Sequence, residues 1–430
     1  MATIAPATLP SEIASAIVNP VAYGQWDDLK TKFRWARDNM PVGLVQAEGY
    51  MPFWAITRHE DIMTVSKDNA RFLNAPKSVV LGPVAVQMLT HMITGGSPHL
   101  VRSLVTMDAP EHMDYRKLTQ SWFMPKNLGG IEARIREIAR ASIDAMVATG
   151  GSCDFVHQVS ALYPLHVVMQ ILGVPHEDEP LMLKLTQEMF GGEDPDLNRA
   201  RSVDLTPEQV MQFVVDAVRD FEGYFMKLAA DRRASPRDDV ASVIANATID
   251  GEPISDRNAA GYYIIVAAAG HDTTSASTAG AMWALANDPE QFARIKADRS
   301  LLPGLIEEAI RWTTPVQHFM RTAAEDCEIG GQAIAKDDWL MLCYVSGNHD
   351  ERVFDDPDRF DAARGPNRHV AFGAGVHQCL GLHLARMEMR ILFEELLDRV
   401  ESVELAGTPQ RASSTFVGGP KTLPIRFVAS

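Results

Sequence analysis

Cysteine is scarce in this chain of 430 residues. Only Cys153, Cys327, Cys343 and Cys379 are present, none in a Cys-x-x-Cys pair. Neither a disulfide framework nor a zinc ribbon is built from such spacing, and reduced thiols in a cytoplasm are expected. Long apolar runs are also missing. The longest, Ala259 to Gly270, has twelve residues, short of the roughly 20 that span a bilayer. Met1 to Pro20 lacks the basic and apolar regions of a secretory leader, so no membrane segment and a cytoplasmic location are expected. Positive charge is in deficit: 40 Lys and Arg against 56 Asp and Glu leave a formal net charge of −16. Such a surface repels phosphate backbones and disfavours general nucleic-acid binding. There is no Gly-x-Gly-x-x-Gly after a strand, no Gly-x4-Gly-Lys-[Ser/Thr] and no His-Glu-x-x-His. A built-in nicotinamide or flavin domain, a P-loop and a zincin site are thereby excluded.

The composition is that of a chain with a large core: 46% hydrophobic and 22% charged residues. No repeat or long linker divides it, and one domain over 1–430 is expected. Its middle reads as helix. Apolar residues recur at helical spacing from Asn127 to Val147. Thr206-Pro207-Glu208 opens a helix toward Asp231, Ser255-Asp256 a longer one through Ala286, and Asp288-Pro289 the next. Strand-like stretches are short and near the ends: Phe53 to Thr57, several between Ala323 and Tyr344, and the tail around Gly418-Gly419-Pro420. The fold class is mainly α with small β-sheets to one side.

The sharpest signal is Phe372-Gly373-Ala374-Gly375-Val376-His377-Gln378-Cys379-Leu380-Gly381. Most lone cysteines are inert apolar thiols. This one is flanked by glycines, which permit close backbone approach, and it precedes an apolar-striped helix. Unpaired N–H groups at a helix start favour a thiolate. Physics alone gives a stabilised thiolate against something flat, or a catalytic nucleophile.

The pattern Phe-x-x-Gly-x-x-x-Cys-x-Gly resembles the haem-ligand loop of the cytochrome P-450 superfamily, and the likeness runs over nearly the whole chain. It is nearest the soluble bacterial haem-thiolate monooxygenases of the type that hydroxylates alpha-terpineol. The resemblance implies the fold of that superfamily, a haem b cofactor and Cys379 as the iron ligand. It places Phe372 and Gly381 at the haem, and Ala269, Gly270 and Thr273 of Ala269-Gly270-His271-Asp272-Thr273-Thr274 over its other face. Gly270 would leave room for O2, and the polar stretch would interrupt the long helix. Asp272 and Thr273 would relay protons. Standing alone, an Asp-Thr pair reads as a cap or a solvent-facing pair, but Ile264 to Ala269 is apolar on one flank. For His271, the expectation is a structural partner on the other face.

Glu308 and Arg311 share a helix face, and the resemblance joins them to Arg364 as a buried structural triad. It offers His112, Arg116, Arg321 and His377 as donors to the haem propionates. Ile265, Ala268, Gln317, His318, Phe416 and Val417 are expected to line a pocket for a small hydrophobic substrate, a monoterpene alcohol or an aromatic hydrocarbon, with Gln317 and His318 either orienting a hydroxyl or bonding backbone. Electrons must come from another protein; an iron–sulfur ferredoxin and its NAD(P)H-dependent flavoprotein reductase are implied. Arg116, Lys117, Lys126 and Arg368 read either as a basic docking patch or as scattered charges. Two other functions stand beside the O2-dependent monooxygenase: a peroxide-driven peroxygenase and a non-enzymatic haem-based ligand sensor.

Overall fold

A computed structural model describes residues 7–190, 192–197 and 206–430. Five helices position the site: α1 (Glu111–Gln120), α2 (Tyr163–Leu172), α3 (Asp256–Asn287), α4 (Leu302–Thr313) and α5 (Leu382–Arg399). The 32-residue α3 is the axis of the molecule. Ala259 to Ile264 are six consecutive buried residues, so the helix is enclosed on all sides, as an apolar circumference requires. It packs on α2, α4 and Pro207–Ala234 in one continuous core. No helix among the described residues is long and apolar enough to cross a membrane.

The long helices begin where the caps indicate. Ser255 and Asp288 accept from the backbone N–H groups of Asn258 and Gln291. Thr206 and Gln209 bond reciprocally as a capping box. Asn127 to Val147 differs: it is two helices, Pro125–Leu128 and Glu132–Val147. Gly129-Gly130, the poorest helix formers short of proline, separates them.

The main sheet has five strands: β1 (Val42–Val45), β2 (Phe53–Ile56), β3 (Phe72–Leu73), β4 (His318–Ala323) and β5 (Trp339–Cys343), in the order β1-β2-β5-β4-β3. Only the β2–β5 pair is parallel, with Leu340 opposite Trp54. The sheet covers a second apolar cluster that includes Phe33, Phe53 and Trp339. Val400–Leu405, Pro424–Ala429 and Ser152–Asp154 form a three-stranded sheet, pinning the tail to the helical body.

Candidate active site

An apolar cavity of about 360 Å³ lies between α3 and the Cys379 loop. Ile265, Ala269, Gly270, Thr273, Thr274 and Ser277 form its α3 wall, the stripe that i and i+4 positions present on one helix face. Phe372, Gly373, His377, Cys379 and Gly381 form the opposite wall, with Val316, Phe319, Phe416 and Val417 at the side.

The loop is held from both sides. The Cys379 N–H donates to the Phe372 carbonyl at 2.8 Å. Gly373 and Gly375 have φ of 66° and 73°, and a Cβ on Gly375 would meet the Ser66 carbonyl at 2.4 Å. Only glycine fits there. Cys379 stands three residues before α5, with Gly381 as the N-cap. Burial pushes its thiol up, while the Gly381 N–H, Arg116 and Arg386 pull it down. The net direction is upward, so the helix start does not by itself yield the thiolate expected from sequence; desolvation prevails, and a bound metal is what deprotonates such a thiol.

Behind the loop, Glu308 has no exposed surface. It accepts two bonds from Arg311 at 2.8 Å, and bonds from Arg364 and from Asn367 at 3.0 Å. Arg311 donates onward to the Asn348 carbonyl, and the Asn348 side chain accepts from Val370 N–H at 2.7 Å. Sequence reading missed the neighbouring Glu307. Its carboxylate binds Arg386 at 2.6 Å and His369 at 3.2 Å. Burial opposes its charge, yet the two partners hold its carboxyl down to about 2. Arg386 also stacks on Phe372, 4.7 Å from its centroid. The extra Glu directly before Glu-x-x-Arg was the available signal.

At one end of the cavity Arg116, Arg321, His112 and His377 come together. The His112 and His377 rings lie 4.0 Å apart. Burial lowers His112 to about 4 and His377 to about 2, so both are neutral. Arg116 donates to the Gln378 carbonyl and Arg321 to the Met320 carbonyl, each at 2.8 Å. Among the described residues neither guanidinium has a carboxylate partner, and His112 Nδ1 is buried without one. Tyr344, also overlooked in the sequence, lines this end and bonds Arg321. Two guanidiniums and an orphaned imidazole nitrogen facing an apolar slot with a thiol in its wall fit a flat, iron-bearing dianion such as haem.

Across the cavity, the Thr273 hydroxyl donates to the Ala269 carbonyl at 2.7 Å. The backbone of α3 nevertheless continues through this stretch without the expected interruption; the hydroxyl adds a bond and displaces none. Asp272 is outside the cavity lining. Its Oδ1 lies 3.4 Å from His271 Nδ1, its Oδ2 is buried without a partner, and burial raises its carboxyl. His271 is buried on the far face, bonding Thr186 at 3.2 Å and the Ala161 carbonyl at 2.7 Å. Gly270 lines the cavity, but a Cβ there would meet Val168 of α2 at 2.7 Å. Its missing side chain thus lets α3 pack closely on α2 where both helices border the cavity.

Three pocket residues are corrected. Ala268 is fully buried one position off the α3 stripe. Gln317 donates to the Ser414 carbonyl at 2.6 Å. His318 donates from Nδ1 to the Thr415 carbonyl and accepts at Nε2 from Leu81 N–H, at 2.9 and 3.0 Å. Both are absent from the lining because the backbone around Phe416 satisfies them. Two polar groups do face the cavity, Asn74 in the segment between Leu73 and Met107 that the sequence placed at the pocket, and Glu388, which it did not. Asn74 donates to the Val105 carbonyl at 2.8 Å, which fixes its amide and leaves Oδ1 buried without a partner. Glu388 lies beside Thr274, its carboxyl raised by burial. Their immediate apolar neighbours, Leu73 and Ala75 beside Asn74 and Met387 and Met389 beside Glu388, were the only cue. Arg116 turns into the cavity and Lys117 pairs with Asp114 at 3.4 Å, leaving only Lys126 and Arg368 of the basic patch exposed and without an ion pair among the described residues.

Residues 86–422 match the family model described as Cytochrome P450. The chain belongs to the cytochrome P450 family. This P450 is 45% identical over 421 residues to Cytochrome P450-terp of a Pseudomonas species, covering 98% of each chain. It is 35% identical to linalool 8-monooxygenase of Pseudomonas putida, covering 87% of this chain and 90% of that one. The crystal structure of CYP108D1 from Novosphingobium aromaticivorans superposes with a TM-score of 0.92 at 58% identity, covering 99% of this chain and 100% of that one. The P450 fold with its single domain is thus established, and so is the activity class: an oxidoreductase of the P450 monooxygenase type. Family membership implies a haem-thiolate iron.

Proposed function

We propose that this P450 binds haem b through Cys379 and hydroxylates a small hydrophobic substrate, a monoterpene alcohol or a compact aromatic hydrocarbon. The observation carrying this reading is the Cys379 side chain opening into an apolar cavity whose facing wall is the Ala269–Ser277 stripe. Cys379 would ligate the iron, Arg116, Arg321, His112 and His377 would hold the propionates, and Phe372, Gly381, Ala269 and Gly270 would pack against the ring. When bound, haem supplies the iron at which O2 is activated for insertion of one oxygen atom.

The chain's own residues do the rest. Burial raises the carboxyl of Asp272, which favours its protonated form. The Thr273 hydroxyl, committed as a donor to Ala269, offers its lone pairs to the cavity and receives a proton bond there. Asp272, behind the lining, would be the proton reservoir and Thr273, in the cavity wall, the group through which its protons enter, while Val316, Phe319, Phe416 and Val417 exclude water. The Asn74 amide oxygen is an acceptor awaiting a donor, which supports an alcohol as substrate. Likeness to a linalool 8-monooxygenase supports the same class. Lys126 and Arg368, exposed and without an ion pair among the described residues, suit an acidic ferredoxin reduced by a flavoprotein that uses NAD(P)H.

The test is a ligand screen on the haem-loaded protein, read by the Soret shift and followed by product analysis with O2 and a reconstituted ferredoxin system. Monoterpene alcohols or two- and three-ring aromatics should bind and yield a monohydroxylated product. Binding without product would favour a ligand sensor, and equal turnover with peroxide alone would favour a peroxygenase.

A further inference from the structure

Away from the cavity, three metal-ligating side chains converge where α2 meets the helix Glu179–Phe190. His176 Nδ1 lies 2.7 Å from Glu179 Oε2, and His166 Nδ1 makes a still shorter contact with the same oxygen. All three donor atoms lie within 4.8 Å of one another, and the two imidazole rings are 5.4 Å apart. The focus is sheltered on one side and open on the other: side-chain exposure is 8% for Glu179, 27% for His166 and 83% for His176. The mechanism proposed above uses none of these residues.

Two imidazole nitrogens and one carboxylate oxygen are the donor set of late first-row divalent cations. Mg²⁺ and Ca²⁺ prefer all-oxygen shells. We infer that this cluster binds Zn²⁺ through His166 Nδ1, His176 Nδ1 and Glu179 Oε2, with water in the fourth position. In the hydrogen-bonded cluster each Nδ1 carries a proton directed at Oε2. Metal binding requires each imidazole to carry its only proton on Nε2, so that Nδ1 gives a lone pair to the metal and any proton held there is released. Bonds of about 2.0–2.2 Å in a tetrahedron set donors roughly 3.3 Å apart. The present N–O contacts are closer, so both the exposed His176 and the half-buried His166 must draw back from Glu179 by that difference to admit the ion.

The ion would fasten α2, whose Val168 reaches the cavity, to the helix carrying Met189 into the cavity and Thr186 onto His271. It is a structural tie beside the site, and its occupancy is independent of the reaction.

The experiment uses untagged, haem-loaded full-length protein, stripped with a chelator, dialysed against Zn²⁺ and analysed for zinc and iron by mass spectrometry. One zinc per chain beyond the haem iron is expected. His176→Ala, at an exposed site that does not endanger folding, should weaken zinc binding at least ~10-fold, and Glu179→Gln likewise. Both should keep normal haem content. His91→Ala, at an exposed histidine elsewhere, should retain full zinc. No stoichiometric zinc in the parent protein, or the same affinity in His176→Ala, would overturn the site and show a hydrogen-bonded trio only. Failure here leaves the haem reading intact, because the readout is zinc and not turnover.

Discussion

Removing the Glu308 carboxylate should unlatch the cysteine loop from the helical body. Glu308 and Arg311 are both at 0% side-chain exposure, and Arg364 is at 11%. In Glu308→Ala the Arg311 guanidinium stays buried with only the Asn348 carbonyl as acceptor. Stranding one member of a buried ion pair costs about 3–5 kcal/mol, a large share of the roughly 5–15 kcal/mol that holds a typical protein folded. Arg364 contributes less to the loss, because it also donates to the carbonyls of Asp355, Asp356 and Arg359. Glu308→Gln should cost nearly as much, since one amide donor would face an arginine donor. Because Asn348 connects Arg311 to Val370 N–H, the damage should reach the Cys379 loop and lower the haem-to-protein ratio. Urea unfolding followed by circular dichroism gives the stability, and pyridine haemochrome analysis gives the loading. The double variant Glu308→Leu/Arg311→Met should be more stable than Glu308→Leu alone, because no charge is left stranded. Losses below about 1 kcal/mol with full haem loading, or a double variant as unstable as the two single losses summed, would refute the reasoning.

Further outcomes test the site from other directions. Thr273→Ala should bind substrate normally yet divert reducing equivalents to peroxide, measured as product formed per NAD(P)H consumed; unchanged coupling would remove Thr273 from the relay. Gly270→Ala should destabilise by about 1–3 kcal/mol through the clash with Val168, less any gain in helix propensity, and Val168→Ala should relieve it in the double variant. An unrelieved defect would mean that the glycine serves the cavity instead. Burial lowers His318 from 6.5 to about 4, and its Nε2 accepts from Leu81 N–H, so the folded state resists protonation. The unfolded chain takes up that proton below pH 6.5 and the folded one does not, so stability falls as pH drops from 6.5 toward 4. The loss is roughly 3 kcal/mol. His318→Asn should flatten this limb of the stability–pH curve, and an identical slope would assign it to other groups.

What was legible in the sequence is what chemistry compresses into a few adjacent residues. The Cys379 loop and Glu308 with Arg311 each need close spacing in one loop or on one helix face, so their pattern survives without coordinates. Helix starts were legible for the same reason, because Thr206, Ser255 and Asp288 bond N–H groups three residues on. Partners distant in sequence were not. Gln317 and His318 are polar in a pocket-forming segment, and only the Ser414 and Thr415 carbonyls, 97 residues away, show that they are already satisfied. Gly270 is explained by Val168 on another helix. Asn74 is notable only because one amide atom is bonded and the other is not. The thiol itself illustrates a balance that pattern cannot settle, since helix-end stabilisation and desolvation act in opposite directions on Cys379.

The most direct measurement is the carbon monoxide difference spectrum of the reduced, haem-loaded protein beside its Cys379→His variant. With Cys379 as the iron ligand, the parent shows the red-shifted Soret band of a thiolate-bound haem, and the variant shows the shorter-wavelength band of an imidazole-bound one. A parent spectrum already of the imidazole kind, or a variant that keeps the thiolate band, would contradict the assignment of this sulfur to the iron.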